Sequence, residues 1–103
     1  MRMLMQVKLP HAKFNELTKA GTVGQKLQQI LEETMPEAVY FTEHDGNRGA
    51  ILIVRVEDPS KIPALCEPWF LVFDADVHFQ IVMSPEELGR SGLDTIGKKW
   101  CKT

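Results

Sequence analysis

Residues 75–83 read ADVHFQIVM, and the fold turns on which side of a strand each of them occupies. Successive side chains of an extended chain point to opposite faces, so Val77, Phe79, Ile81 and Met83 share one face while His78, Gln80 and Val82 share the other. The first set requires a core. The second, an imidazole and an amide beside a valine, suits neither a sealed interior nor a fully wetted surface.

Working outward, the same alternation recurs in RMLMQVKLP at 2–10, where Met3, Met5, Val7 and Leu9 alternate with Leu4, Gln6 and Lys8 before Pro10 ends the ladder. The segment 35–58, MPEAVYFTEHDGNRGAILIVRVED, reads as a hairpin with a turn rich in Asp, Gly and Asn. A two-residue turn on Gly46 and Asn47 is expected, which sets Val39 opposite Val54, Tyr40 opposite Ile53, Phe41 opposite Leu52 and Thr42 opposite Ile51.

Between these strands lie helical patterns. From His11 to Thr34, Phe14, Leu17, Leu27, Ile30 and Leu31 fall at three- and four-residue spacings, interrupted by Gly21 and Gly24, so either one bent helix or two short ones fits. DPSKIPALCEPWFLVF at 58–73 is the second helical region, with Ser60 expected as N-cap, Pro63 in the first turn and Pro68 expected to kink or end it. SPEEL at 84–88 has the form of a capping box with proline at the first helical position, so a short helix begins there. The course of residues 89–103 is left open by Gly89, Gly92 and Gly97.

The order strand, helix, strand, strand, helix, strand, with an added C-terminal helix, predicts an α+β chain of the ferredoxin-like βαββαβ type, a single domain over 1–103. Collected over all four strands, the predicted helix-facing set is apolar throughout except for Glu43. The reverse face gathers Leu4, Tyr40, Ile51, Ile53 and Val82 among Gln6, Lys8, Thr42, His44, Arg55, His78 and Gln80. An apolar patch of that kind on an open surface marks a contact site.

Composition narrows the classes. With 44% hydrophobic and 25% charged residues the 103-residue chain has ordinary globular make-up. A domain of this size hides only about 60–65% of its unfolded surface, so a partner surface is a useful supplement. A net charge of −2 leaves no basic footprint for nucleic acid, and GKKWCK at 97–102 reads as a solvated tail. No apolar run approaches the ~18 residues of a membrane span, and no secretion signal is read at the N-terminus, so a cytoplasmic protein is expected, with Cys66 and Cys101 as reduced thiols.

The element order, the DGNRGAILIV hairpin (45–54), the block IPALCEPWFLVFDADVHFQIVM (62–83) and the following SPEEL resemble the small bacterial dimeric α+β-barrel proteins, in particular a branch with no assigned activity. The resemblance covers nearly the whole chain. It implies two ferredoxin-like subunits with their sheets face to face and room for a ligand between them. Other branches include muconolactone isomerases, cofactor-independent monooxygenases and haem-binding proteins. Their catalytic motifs have no residue-by-residue counterpart here, so the resemblance implies a fold and a homodimer but no activity.

The candidate ligand-binding residues are therefore Gln6, Lys8, Tyr40, Arg55, His78 and Gln80, with His78 the one candidate acid/base. Arg55 and Lys8 suit either a carboxylate clamp or ion pairs with acidic groups of a partner subunit, and Tyr40 either a donor to a ligand oxygen or an amphipathic interface residue. Two functions follow: a homodimer holding a small molecule between its sheets, or a cofactor-independent isomerase or oxygenase using His78. His44, Asp45 and Arg48 read as hairpin-end residues. The scattered His11, His44, His78, Cys66 and Cys101 lack metal-ligand spacing, and no cofactor or metal is expected.

Overall fold

The computed structural model describes residues 1–101; the end of the basic tail, residues 102 and 103, lies outside the described residues. Four strands, β1 (Arg2–Leu9), β2 (Ala38–His44), β3 (Asn47–Arg55) and β4 (Asp76–Ile81), form one antiparallel sheet in the order β2-β3-β1-β4. Five α-helices accompany it among the described residues: α1 (His11–Lys19), α2 (Val23–Thr34), α3 (Ile62–Phe73), α4 (Pro85–Gly89) and α5 (Leu93–Trp100). This small α+β architecture is compatible with a ferredoxin-like fold.

The first helical region is two helices. Gly21, at φ 75°, closes α1 in a Schellman motif: the Thr22 N–H donates to the Leu17 carbonyl and the Gly21 N–H to that of Thr18, both at 3.0 Å. A left-handed residue there turns the chain sharply, which permits α1 and α2 to pack on the same side of the sheet. Phe14, Leu17, Leu27 and Leu31 then meet a core of Met3, Met5, Val7, Leu9, Leu52, Val54, Trp69 and Phe73. Trp69 and Phe73 are fully buried, and Phe73 stacks between Phe14, at 5.5 Å, and Trp69, at 5.9 Å.

The hairpin turn sits one residue earlier than the sequence pattern implied. Its central residues are Asp45 and Gly46, both at positive φ (52° and 79°), the pattern of a tight hairpin whose twist matches that of its strands. Val39 therefore faces Leu52, Tyr40 faces Ile51, Phe41 faces Ala50 and Thr42 faces Gly49. The pairing slips by two residues, an even number, so every side chain keeps its face. The Glu43 carboxylate accepts the Gly46 N–H at 2.8 Å, which explains a charged residue on the helix-side parity. Because nothing lies within 4 Å of a Cβ at Gly46, Gly46→Ala meets only the left-handed backbone penalty. We expect it to cost about 1–2 kcal/mol, read as a lower urea midpoint with an unchanged slope.

Two expectations for the helical region 58–73 are corrected. Asp58, not Ser60, supplies the cap: its carboxylate accepts the Ser60 N–H at 2.8 Å and the Ser60 hydroxyl, holding a 3₁₀ turn at Pro59–Lys61 that leads into the helix. A carboxylate one residue ahead of a proline satisfies the first open N–H better than a hydroxyl already inside the turn. Pro68 does not end the helix, which continues to Phe73. Burial of Leu65, Cys66, Trp69 and Phe73 along one stripe outweighs the hydrogen bond that proline forgoes.

The apolar face is also narrower than its pattern. Phe41, Ile81 and Met83 are more than half exposed. Phe41 lies on β2 and Ile81 on β4, the two edge strands, while Met83 follows β4. The buried strand residues cluster on β1 and β3, where the three helices give full cover.

Candidate functional site

Among the described residues the buried core lies on the helix-facing side of the sheet, and the strand registers place the side chains of the reverse face in rows. One row runs Tyr40, Ile51, Gln6, His78 across β2, β3, β1 and β4. The next runs Ala38, Ile53, Leu4, Gln80, and on the other side lies Thr42, Gly49, Lys8, Asp76. The centre is thus apolar, with Leu4, Ile51 and Ile53 contiguous. Tyr40 borders it at 70% exposure. The β4 side is polar, where Gln6 meets His78 directly and Gln80 stands one pair along.

Of the residues singled out by sequence, the fold brings Gln6, His78 and Gln80 together. Tyr40 faces them from across Ile51, three strand spacings or about 14 Å from His78. The expected carboxylate clamp does not form. Lys8 pairs with Gly49, whereas Arg55 pairs with Arg2 at the other end of the same strands, so the two cations are about 20 Å apart. Antiparallel pairing drives this separation: advancing along β1 from Arg2 to Lys8 means retreating along β3 from Arg55 to Gly49.

Each cation has instead a local partner. Lys8 Nζ lies 3.8 Å from Asp45 Oδ2, which also sits 3.6 Å from His44 Nε2, so those residues belong to the hairpin end. Arg48 is on the helix side, its guanidinium 4.3 Å above the Phe14 ring and donating to Asn15 Oδ1 at 2.9 Å. Arg55 Nη1 is 4.0 Å from Glu37 Oε1, and Arg2 donates to both Glu37 carboxylate oxygens at 3.1–3.3 Å.

That cluster was not anticipated. Arg2 shares the parity of Leu4 and Gln6, and Asp76 that of His78, so period-two counting carried one residue further along each strand exposes both. Glu37 precedes β2 and becomes visible only when the fold sets it beside Arg2. Hydrogen bonds from Arg2, reinforced by the positive charges of Arg2 and Arg55, hold the Glu37 carboxyl below its usual range, and Arg2 is raised in turn. A lowered folded-state value means that this pair supports the fold above the ordinary carboxylate range and ceases to do so as acid protonates Glu37. Carbon-detected titration of Glu37 should give a midpoint below that of an unstructured glutamate, and Arg2→Ala should move it back up.

Cys66 is buried, and burial pushes its thiol up, away from nucleophilic thiolate character. Among the described residues no group of three or more His, Cys, Asp or Glu is placed to hold a metal ion, and no helix is long and apolar enough to cross a membrane. One concavity, of about 730 Å³, is not on the open face. It lies at the Arg55 end of the sheet, between the end of α2 and the start of α3.

No protein-family model matches the chain, and no curated protein matches it. Among solved structures it is similar to the de novo designed protein Ferredog-Diesel, with 13% sequence identity and a TM-score of 0.47 over 79% of this chain and 85% of that one.

Proposed function

We propose that the chain is a ferredoxin-like βαββαβ subunit that pairs with a second copy through its open sheet face, as a dimeric α+β barrel, and holds a small organic ligand between the facing sheets. The observation that carries this reading is the row Tyr40, Ile51, Gln6, His78. An apolar centre beside converging amide and imidazole groups is the lining of a small-molecule site, provided something excludes water from it. A second copy of the same face would do so. The ligand that fits has a flat apolar body lying over Leu4, Ile51 and Ile53 and a carbonyl or carboxylate oxygen accepting from Gln6 and His78.

Binding is favoured over catalysis by the state of His78. It is exposed, and among the described residues it makes no ion pair or hydrogen bond that would fix its tautomer or aim its ring. A general base is ordinarily held by a second group; a ligand-contacting imidazole has no such need.

Sedimentation and amide-resolved NMR together test the proposal. The protein should sediment as a dimer at micromolar concentration, and a panel of small aromatic carboxylates should include members that shift Gln6, Tyr40, Ile51 and His78. His78→Ala should weaken that binding about tenfold, the loss of one charge-assisted hydrogen bond, without dissociating the dimer. A monomer, or shifts confined to other surfaces, overturns it.

A further inference from the structure

Every residue from Pro85 to Cys101 is exposed, although α5 carries Leu93, Ile96 and Trp100 on one stripe at helical spacing. Trp100 is 69% exposed. The radius of gyration is 17.9 Å and the long axis 65 Å, against about 13 Å for the radius of a compact chain of this length. Residues 84–101 therefore form an arm extending away from the body. An eight-residue helix such as α5 is too short to persist in water without a surface to pack on.

A fitting surface exists at the end of the sheet. The cleft of about 730 Å³ is lined by Met1, Met35, Leu65, Glu33, Arg55 and Glu57, among others. Met35 is 79% exposed in a left-handed conformation. The end of α2 carries Glu32 and Glu33 with no basic residue in its last turn, so two acidic side chains sit at the negative pole of the helix. The arm offers the complement: an apolar stripe ending in Lys98 and Lys99, with Asp94 at its start available to the cleft's Lys61.

Area points to a second copy as the owner of that cleft. The sheet face spans roughly 19 Å by 27 Å, about 500 Å² in plan, short of the about 800 Å² per partner that stable complexes bury. We propose that α5 of each subunit lies in the α2–α3 cleft of the other, Leu93, Ile96 and Trp100 against Met1, Met35 and Leu65, and Lys98 and Lys99 beside Glu33 and Glu57. The proposal rests on the sheet pairing only for bringing the two copies together.

Mixing unlabelled and ¹⁵N-labelled protein, joining neighbouring amines and carboxylates with a carbodiimide and sequencing the products by mass spectrometry tests it. Isotopically mixed peptides linking Lys98 or Lys99 to Glu33 or Glu57 are expected. Links of a single isotope only, which place the arm on its own chain, or no such links, overturn it. In a Trp69→Phe background the remaining Trp100 emission should shift to the blue as concentration rises through dimerisation; an unchanged spectrum counts against the arm. A dimer without mixed links sinks the arm exchange and leaves sheet pairing standing. Mixed links that persist in a dimeric Ile51→Glu protein sink sheet pairing and leave the exchange.

Discussion

Ile51→Glu should yield a folded protein whose self-association is at least about 100-fold weaker, the effect of placing an uncompensated carboxylate in a desolvated interface. Ile51 occupies the middle of the open face, between Tyr40 on β2 and Gln6 on β1. Pairing through that face brings two such carboxylates close together, adding like-charge repulsion to the desolvation of each. The nearest cations are committed elsewhere: Lys8 to Asp45, and Arg2 and Arg55 to Glu37. Within one subunit Ile51 is only half-buried, and it points away from the core built around Leu52 and Val54. The fold should therefore lose no more than about 1 kcal/mol, the usual range for a substitution away from the core. Sedimentation velocity gives the first quantity and urea unfolding the second. An Ile51→Glu protein that dimerises as tightly as the parent would remove the basis for face-to-face assembly.

The largest effect on stability is expected at Trp69. Its side chain is wholly buried, the largest in the core, and its indole N–H has no hydrogen-bond partner among the described residues. Trp69→Ala opens a cavity beneath the sheet and removes the stacking on Phe73, which should cost about 3–5 kcal/mol. Domains of this size hold about 5–15 kcal/mol in total, so the variant should be marginal at 37 °C. Trp69→Phe should cost less than half as much. It keeps an aromatic ring against Phe73 and eliminates a buried donor whose desolvation is not repaid. Urea unfolding followed by circular dichroism measures both. A loss in Trp69→Phe as large as that in Trp69→Ala would mean that the indole nitrogen is satisfied and that losing its hydrogen bond, rather than volume, sets the cost.

Much of this architecture was legible in the amino-acid order, because period-two and period-3.6 patterns are local. The alternation in 2–10 and in 75–83 located β1 and β4, and Ser84, Pro85 and Glu87 spelled out the capping box that starts α4, in which the Ser84 hydroxyl accepts the Glu87 N–H and the Glu87 carboxylate accepts that of Ser84. The errors have specific causes. Asp45-Gly46 and Gly46-Asn47 are both turn-forming pairs and both preserve the faces, so hydrophobic matching had no means of choosing between them. Pro68 opposes a helix locally, but four buried residues on its stripe outvote it.

The site divides in the same way. Which side chains share a face follows from parity, and Gln6, Tyr40, His78 and Gln80 were found so. Which of them are neighbours depends on strand order and register, quantities that couple separate elements, as in Gln6 with Ile51, 45 positions on, and with His78, 72 positions on. The distance between Lys8 and Arg55, the Arg2–Glu37–Arg55 cluster and the exposure of Phe41 all arise at that level.

Backbone sterics and side-chain polarity, acting over a few residues, sufficed to specify where strands and helices form and which side of each is apolar. Placing β2 and β4 at the edges, separating the cations to opposite ends of the sheet and sending residues 84–101 out from the body required the assembled chain. Those features depend on which distant segments win the competition to bury one another, and that competition is settled by packing rather than by any local pattern.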